Sequence, residues 1–136
     1  MLAPFEIVNK MLNNDAYSLW LGVDLLSINK GDVSVKMTVK KEMTNGFGIA
    51  HGGITYALSD SCLAFSANSH GIHAVSIETS ISHLKPVNVG DTLIAKSNEI
   101  SLTKRIGVYQ IDVYNQFNHI VSTLKGTMYR TGKIWE

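Results

Sequence analysis

The hydrophobic positions change their period three times along the chain. From Pro4 to about Leu12, Phe5, Ile7, Val8, Met11 and Leu12 recur at helical spacing and predict a short amphipathic helix. Tyr17, Leu19, Trp20, Leu21 and Val23 form an apolar stretch with no clear period, and it stays unassigned. From Gly31 the period is two. Val33, Val35, Met37 and Val39 alternate with Ser34, Lys36, Thr38 and Lys40, which is a one-sided strand. A glycine-rich loop follows, and then a helix from about Gly53 to Asn68, with Gly71 placed to take a left-handed stop. The rest reads as four strands. They run over Val75–Ser82, Leu93–Leu102, Val108–Asn115 and Ile120–Thr131, with turns at 86–91 and 115–119. Short turns favour antiparallel neighbours. The pattern predicts an α+β domain, one curled antiparallel sheet packed on one long helix.

On a wheel of about 100° per residue, Ile54, Ala57, Leu58, Ser61, Cys62 and Phe65 share one side of that helix. This is the stripe a sheet should bury. The opposite side holds Gly53, Tyr56, Asp60, Leu63, Ala64 and Ala67, and Asp60 is the only charge between Gly52 and Asn68. A surface helix would be charged there. A side that is small and apolar around one acid implies a second covering, and a symmetric homo-oligomer is the commonest source. A carboxylate in such a place is costly unless its charge is stabilised or used. The residues alone leave two readings level: Asp60 positions an interface, or it does chemistry.

The whole chain has 136 residues, enough for one domain with one core. Charged residues make up 17% and net charge is +1, with no basic tract for nucleic acid or for an anionic membrane surface. One cysteine, Cys62, excludes a disulfide within the chain and reads as a buried thiol. No basic-then-apolar leader pattern occurs and no apolar run has membrane-spanning length, so the expected compartment is the cytoplasm.

Four glycines and a histidine precede the helix in NGFGIAHGG, residues 45–53. A helix that starts near Gly52 or Gly53 exposes unpaired N–H groups and its positive dipole end, and glycine lets a ligand carbonyl approach. Such a terminus can stabilise an oxyanion, although, taken alone, a glycine-rich turn without a ligand is the commoner reading. Gly53 and Asp60 lie two helical turns apart, about 10 Å, so two copies of the chain are needed to bring both to one carbonyl.

The block N-G-x-G-x-x-H-G-G from Asn45, followed by A-L-S-D at 57–60 and by ISHLKPVNVGDTLIAKS after Ser80, resembles the hotdog-fold acyl-CoA thioesterases of the phenylacetate-pathway type. The resemblance spans roughly Gly22 to Thr131. It implies a long helix wrapped by an antiparallel sheet, a dimer with two sites at its interface, and often a tetramer. It implies that Asp60 is the nucleophile or the general base, and that the Gly52 amide, with Gly53 beside it, polarises the thioester carbonyl. By the same resemblance Asn45 positions substrate or water, His51 holds the loop or donates a hydrogen bond, and Ser76 helps to position water. Ser61, Lys85, Pro86, Lys104 and Arg105 are candidates for contact with the acyl-CoA, the basic ones through its phosphates. No metal or redox cofactor is expected. His70, His73, His83 and His119 have no helical metal spacing and read as surface or hydrogen-bonded residues. The alternative function is a non-catalytic acyl-CoA binding or sensing protein on the same scaffold.

Overall fold

A computed structural model describes residues 1–136. Helix α1 spans Pro4–Asn13 and buries Ile7 and Val8, as its amphipathic spacing requires. Pro4 sits in the first turn, where its missing N–H costs nothing. The unassigned apolar stretch forms α2, Ala16–Leu21, capped by the Asp15 side chain and stopped by Gly22 in the left-handed conformation. Only Ser18 and Leu21 of α2 are buried, while Tyr17, Leu19 and Trp20 are about half exposed. This explains the lack of period: three of its apolar side chains are not in the core.

The strands are β1 (Asp24–Asn29), β2 (Asp32–Thr38), β3 (Ile72–His83), β4 (Thr92–Leu102), β5 (Ile106–Tyr114) and β6 (Ile120–Ile134). They form one antiparallel sheet in the order β1-β2-β4-β5-β6-β3, which is not closed into a barrel. β2 buries Val33, Val35 and Met37 on one face, as the alternation predicted. Two expectations change. β1 precedes β2 as a tight hairpin partner, with Gly31 at φ 73° in the turn. β3 and β4 follow one another in sequence but are not neighbours. β3 pairs along β6, from Ile72↔Ile134 to His83↔Ser122, and the segment after His83 carries the chain to β4 beside β2.

The long helix, α3, spans Gly52–Asn68 and contacts β2, β3, β4, β5 and β6. Its predicted sheet-facing stripe is buried in full: Ile54, Ala57, Leu58, Ser61, Cys62 and Phe65. Each large apolar side chain buried there is worth roughly 1.5–3 kcal/mol. The Cys62 thiol points at the carbonyl oxygens of Val33 and Ala95, at 3.2 and 3.8 Å, and burial pushes it up to about 12. The opposite side is narrower than the wheel predicted. Leu63 and Ala67 are buried within the chain's own core, because the sheet curls far enough for Leu63 to pack over Gly126 of β6. What stays open is one strip: Gly53, Tyr56, Asp60 and Ala64.

The sheet has two edge strands, β1 and β3. The β3 edge carries Val75 and Ile77 at 55% and 60% exposure. Among the remaining histidines, His70 is paired with Glu99, which also accepts a hydrogen bond from the Tyr109 hydroxyl at 2.8 Å. His70 is thus hydrogen-bonded, as expected of it. No helix is long and apolar enough to cross a membrane.

Candidate active site

The glycine-rich loop is held at both sides before α3 begins. The Ala50 amide donates to the Val87 carbonyl at 2.7 Å and the His51 amide donates to the Met43 carbonyl at 2.8 Å. Within the loop, Asn45 Oδ1 accepts the Phe47 amide at 2.9 Å, and Gly48 takes the left-handed conformation at φ 78° that the turn requires. Asn45 thus closes the loop with its oxygen. Its Nδ2 has no partner in the chain, and the residue borders a cleft of about 320 Å³.

His51 is the N-cap of α3: its Nδ1 accepts the Gly53 amide at 2.9 Å. This fixes a division of labour that the sequence left open. Gly53's N–H is occupied by the cap, and the Gly52 N–H has no partner within the chain. Gly52 borders the same cleft as Asn45, with Thr55, Lys85 and Pro86. His83 completes it. Its ring lies 3.2–3.3 Å from where a Gly52 side chain would begin, and its Nδ1 is 3.3 Å from the Thr55 hydroxyl. His83 is indeed exposed and hydrogen-bonded, but sequence reasoning missed its place beside Gly52. Nothing local could have shown it: the two meet only because β3 ends next to the start of α3.

Asp60 lies in a different cleft, of about 410 Å³, with Gly53, Tyr56, Ala57, Ser61 and Ala64 of α3 and with Asp15, Tyr17 and Ser18 of the N-terminal helices. No hydrogen bond or ion pair from within the chain reaches its carboxylate. Burial pushes its proton affinity above the usual carboxylate range, and the nearby Asp15 charge adds to this. Ser61 is buried beside it and shares a 2.7 Å hydrogen bond with Ser18. Asp15, Tyr17 and Ser18 were missed as well. The only sequence signal was Asp15 as a helix cap, which says nothing about its distance from Asp60.

The remaining candidates are scattered. Ser76 is exposed on the edge strand β3, opposite Met128 of β6, and lines neither cleft. Lys85 and Pro86 are in the wall of the Gly52 cleft. Lys104 and Arg105 are exposed in the β4–β5 turn and line neither cleft. No group of His, Cys, Asp and Glu side chains is placed to hold a metal ion.

Within one chain, then, an unpaired amide with a carboxamide donor faces one cleft, and a carboxylate of raised basicity faces another. Gly52 and Asp60 are eight residues apart on one helix, about 12 Å along its axis. A carbonyl within hydrogen-bonding distance of the first is out of reach of the second.

A long helix wrapped by a six-stranded antiparallel sheet, with one cleft at the helix N-terminus and another beside its middle, places the protein in a family. Residues 47–121 match the thioesterase superfamily, and the chain belongs to it. Within the superfamily it is 38% identical to the acyl-coenzyme A thioesterase PaaI of Escherichia coli over 128 residues, 94% of this chain and 91% of that one. The E. coli PaaI structure superposes with a TM-score of 0.94, covering 96% of this chain and 95% of its own. Two streptococcal structures are similar too. One, from Streptococcus mutans with bound acetyl-CoA, has 33% identity and a TM-score of 0.80 over 83% of this chain and 91% of its own. The other, a Streptococcus pneumoniae hypothetical thioesterase with coenzyme A, has 28% identity and a TM-score of 0.86 over 93% of this chain and 98% of its own.

Proposed function

We propose that the protein hydrolyses the thioester of an acyl-CoA at a site shared between two subunits. The observation that carries this is the separation of Gly52 and Asp60 into two clefts that no single chain can join. A second copy supplies the join. β3 offers a free, partly apolar edge, and pairing it with β3 of a second copy would continue the sheet and bring the two open α3 strips face to face. A dimer is the minimum assembly, and the resemblance to the family favours a dimer of dimers.

In this arrangement the substrate carbonyl accepts a hydrogen bond from the Gly52 amide. One preorganised donor of this kind is typically worth about two to three orders of magnitude in rate. Asp60 of the second subunit takes a proton from water, and the resulting hydroxide attacks the carbonyl carbon. The C–S bond then breaks and the sulfur leaves as the coenzyme A thiol, carrying that proton. If Asp60 attacks directly instead, an anhydride forms and water cleaves it. Single turnover in ¹⁸O water tests the direct route, since label in the Asp60 carboxyl group arises only from an anhydride that water cleaves at its aspartyl carbonyl.

In this reading Asn45 Nδ2 steadies the acyl or water oxygen, supported by its lack of a partner in the chain, and His51 acts through its cap on the loop. Ser76 reaches the site in this reading through the β3 edge. In its favour, the aspartate and the threonine that were each replaced by alanine in the S. pneumoniae protein lie sixteen positions apart, as Asp60 and Ser76 do here. Lys85 and Pro86 would line the entry for the pantetheine arm, and Lys104 and Arg105 would meet phosphate. Two streptococcal relatives hold acetyl-CoA or coenzyme A, which supports this ligand class. A single buried cysteine and a CoA ligand fit a cytoplasmic protein.

The test is thiol release from a panel of short, medium and aromatic acyl-CoAs, with Asp60→Asn as control. Turnover of at least one class, lost in the variant, is expected. Tight retention of acyl-CoA without thiol release by the wild type would assign the protein to binding or sensing instead.

A further inference from the structure

The cleft that holds Asp60 contains a second carboxylate from a distant part of the chain. Asp15, between α1 and α2, accepts the Ser18 amide on Oδ1 at 2.9 Å and the Ser18 hydroxyl on Oδ2 at 2.6 Å. Ser18 Oγ lies 2.7 Å from Ser61 Oγ, and both serines are buried. An ionised carboxylate only accepts hydrogen bonds. Ser18 therefore gives its proton to Asp15, and Ser61 gives its own to Ser18. The bonds run in one direction, from Ser61 through Ser18 to Asp15, starting at the residue next to Asp60.

A cap on the six-residue α2 needs only one acceptor, and Asp15 Oδ1 is enough for that. The second oxygen instead ties α2 to α3. The titratable groups lining the cleft are Asp15, Tyr17, Tyr56 and Asp60, with no Lys, Arg or His among them. The chain's ion pair, His70–Glu99, involves none of them. The Asp15 charge is thus oriented by two hydrogen bonds and offset by no cation of its own chain in that cleft.

We infer that Asp15 is a positioning residue for Asp60: its fixed charge, linked to α3 through Ser18 and Ser61, makes the reacting carboxylate a stronger base. The inference rests on Asp60 being the catalytic group. Burial of the Asp60 carboxylate opposes its ionisation, and the like charge of Asp15 in the same partly desolvated cleft adds to this. A carboxylate that holds protons more tightly accepts one from water more readily, and in exchange it needs a higher pH to be ionised.

Asp15→Asn removes the charge while keeping size and helix cap. The readout is the titration of the Asp60 carboxyl carbon in protein labelled with ¹³C-aspartate, assigned with Asp60→Asn, beside the pH profile of kcat/KM. The Asp60 midpoint should fall in Asp15→Asn, the acid limb of the profile should move down with it, and plateau kcat should drop severalfold with KM little changed. Asp15→Glu should recover part of each effect. Should Asp15→Asn fold poorly, Asp15→Ser, also a good cap without charge, replaces it. An Asp60 midpoint that does not move when the charge is removed overturns the inference, even with Asp60→Asn inactive. Full turnover by Asp60→Asn overturns the reading of Asp60, and this inference with it.

Discussion

Replacing Asp60 by asparagine exchanges one oxygen for an amide and leaves the side-chain volume almost unchanged. The variant cannot take a proton from water or attack a carbonyl. General-base contributions are typically about 10²- to 10⁴-fold, so kcat should fall by at least about a hundredfold, or roughly 2.7 kcal/mol of barrier. Stability should move the other way. The carboxylate receives no hydrogen bond or cation from its own chain, and burial with Asp15 raises its proton affinity. A carboxyl group whose folded-state affinity exceeds its unfolded one binds more protons when folded. It therefore costs stability as pH rises through the unfolded value, and the full cost is present above the folded value. Asparagine carries no such cost. The variant should melt at or above the wild-type temperature near about pH 7.5, and the difference should vanish by about pH 3, below the unfolded value, where the wild-type group is protonated in both states. The assays are steady-state thiol release and thermal melts at both pH values with the assembly held constant. A variant that keeps more than about a tenth of kcat, or that loses activity together with a lower melting temperature at neutral pH, would refute the reasoning.

Three further outcomes follow from the same geometry. Activity should fall on acidification through a midpoint above the ordinary carboxylate range, because Asp60 must be ionised to act and both of its neighbouring influences raise its proton affinity; a midpoint in the ordinary range, from kcat/KM against pH, would contradict this. Ile77→Asp on the free β3 edge should give a monomer by light scattering that is folded by circular dichroism and inactive, although it keeps every proposed catalytic residue. Gly126→Ala should cost roughly 1–3 kcal/mol in a denaturant melt, since the new methyl would lie 2.4 Å from a fully buried Leu63 Cδ2, and Leu63→Ala in the same chain should relieve part of that strain.

The sequence made the repeating parts of the fold legible. β2 alternates cleanly because one of its faces is core, and α3 declares its inner stripe because Leu58, Cys62 and Phe65 sit at helical spacing. β1 was hidden because an edge strand exposed along most of its length has little alternation to read. The β3–β6 pairing was hidden because a crossover leaves no local mark. Leu63 was placed outside by the wheel, which assumes a flat partner; a curled sheet buries more of the helix than one stripe. Helix rise separated Gly53 from Asp60 by about 10 Å in the sequence; the structure lines one cleft with both of these and opens Gly52 into another. Asp15 and His83 could not be placed from sequence, because their nearness to Asp60 and Gly52 exists only once α2 docks and β3 ends.

Subunit mixing tests the shared site most directly. Asp60→Asn and Gly52→Val each leave one half of the site intact, and each homo-oligomer should be inactive. When the two are unfolded together and reassembled, half of the dimers should be mixed, and each mixed dimer should hold one site with both halves native. The account predicts that about a quarter of wild-type activity returns on mixing. If the mixture stays as inactive as its components while forming mixed dimers, Gly52 and Asp60 do not meet across the interface.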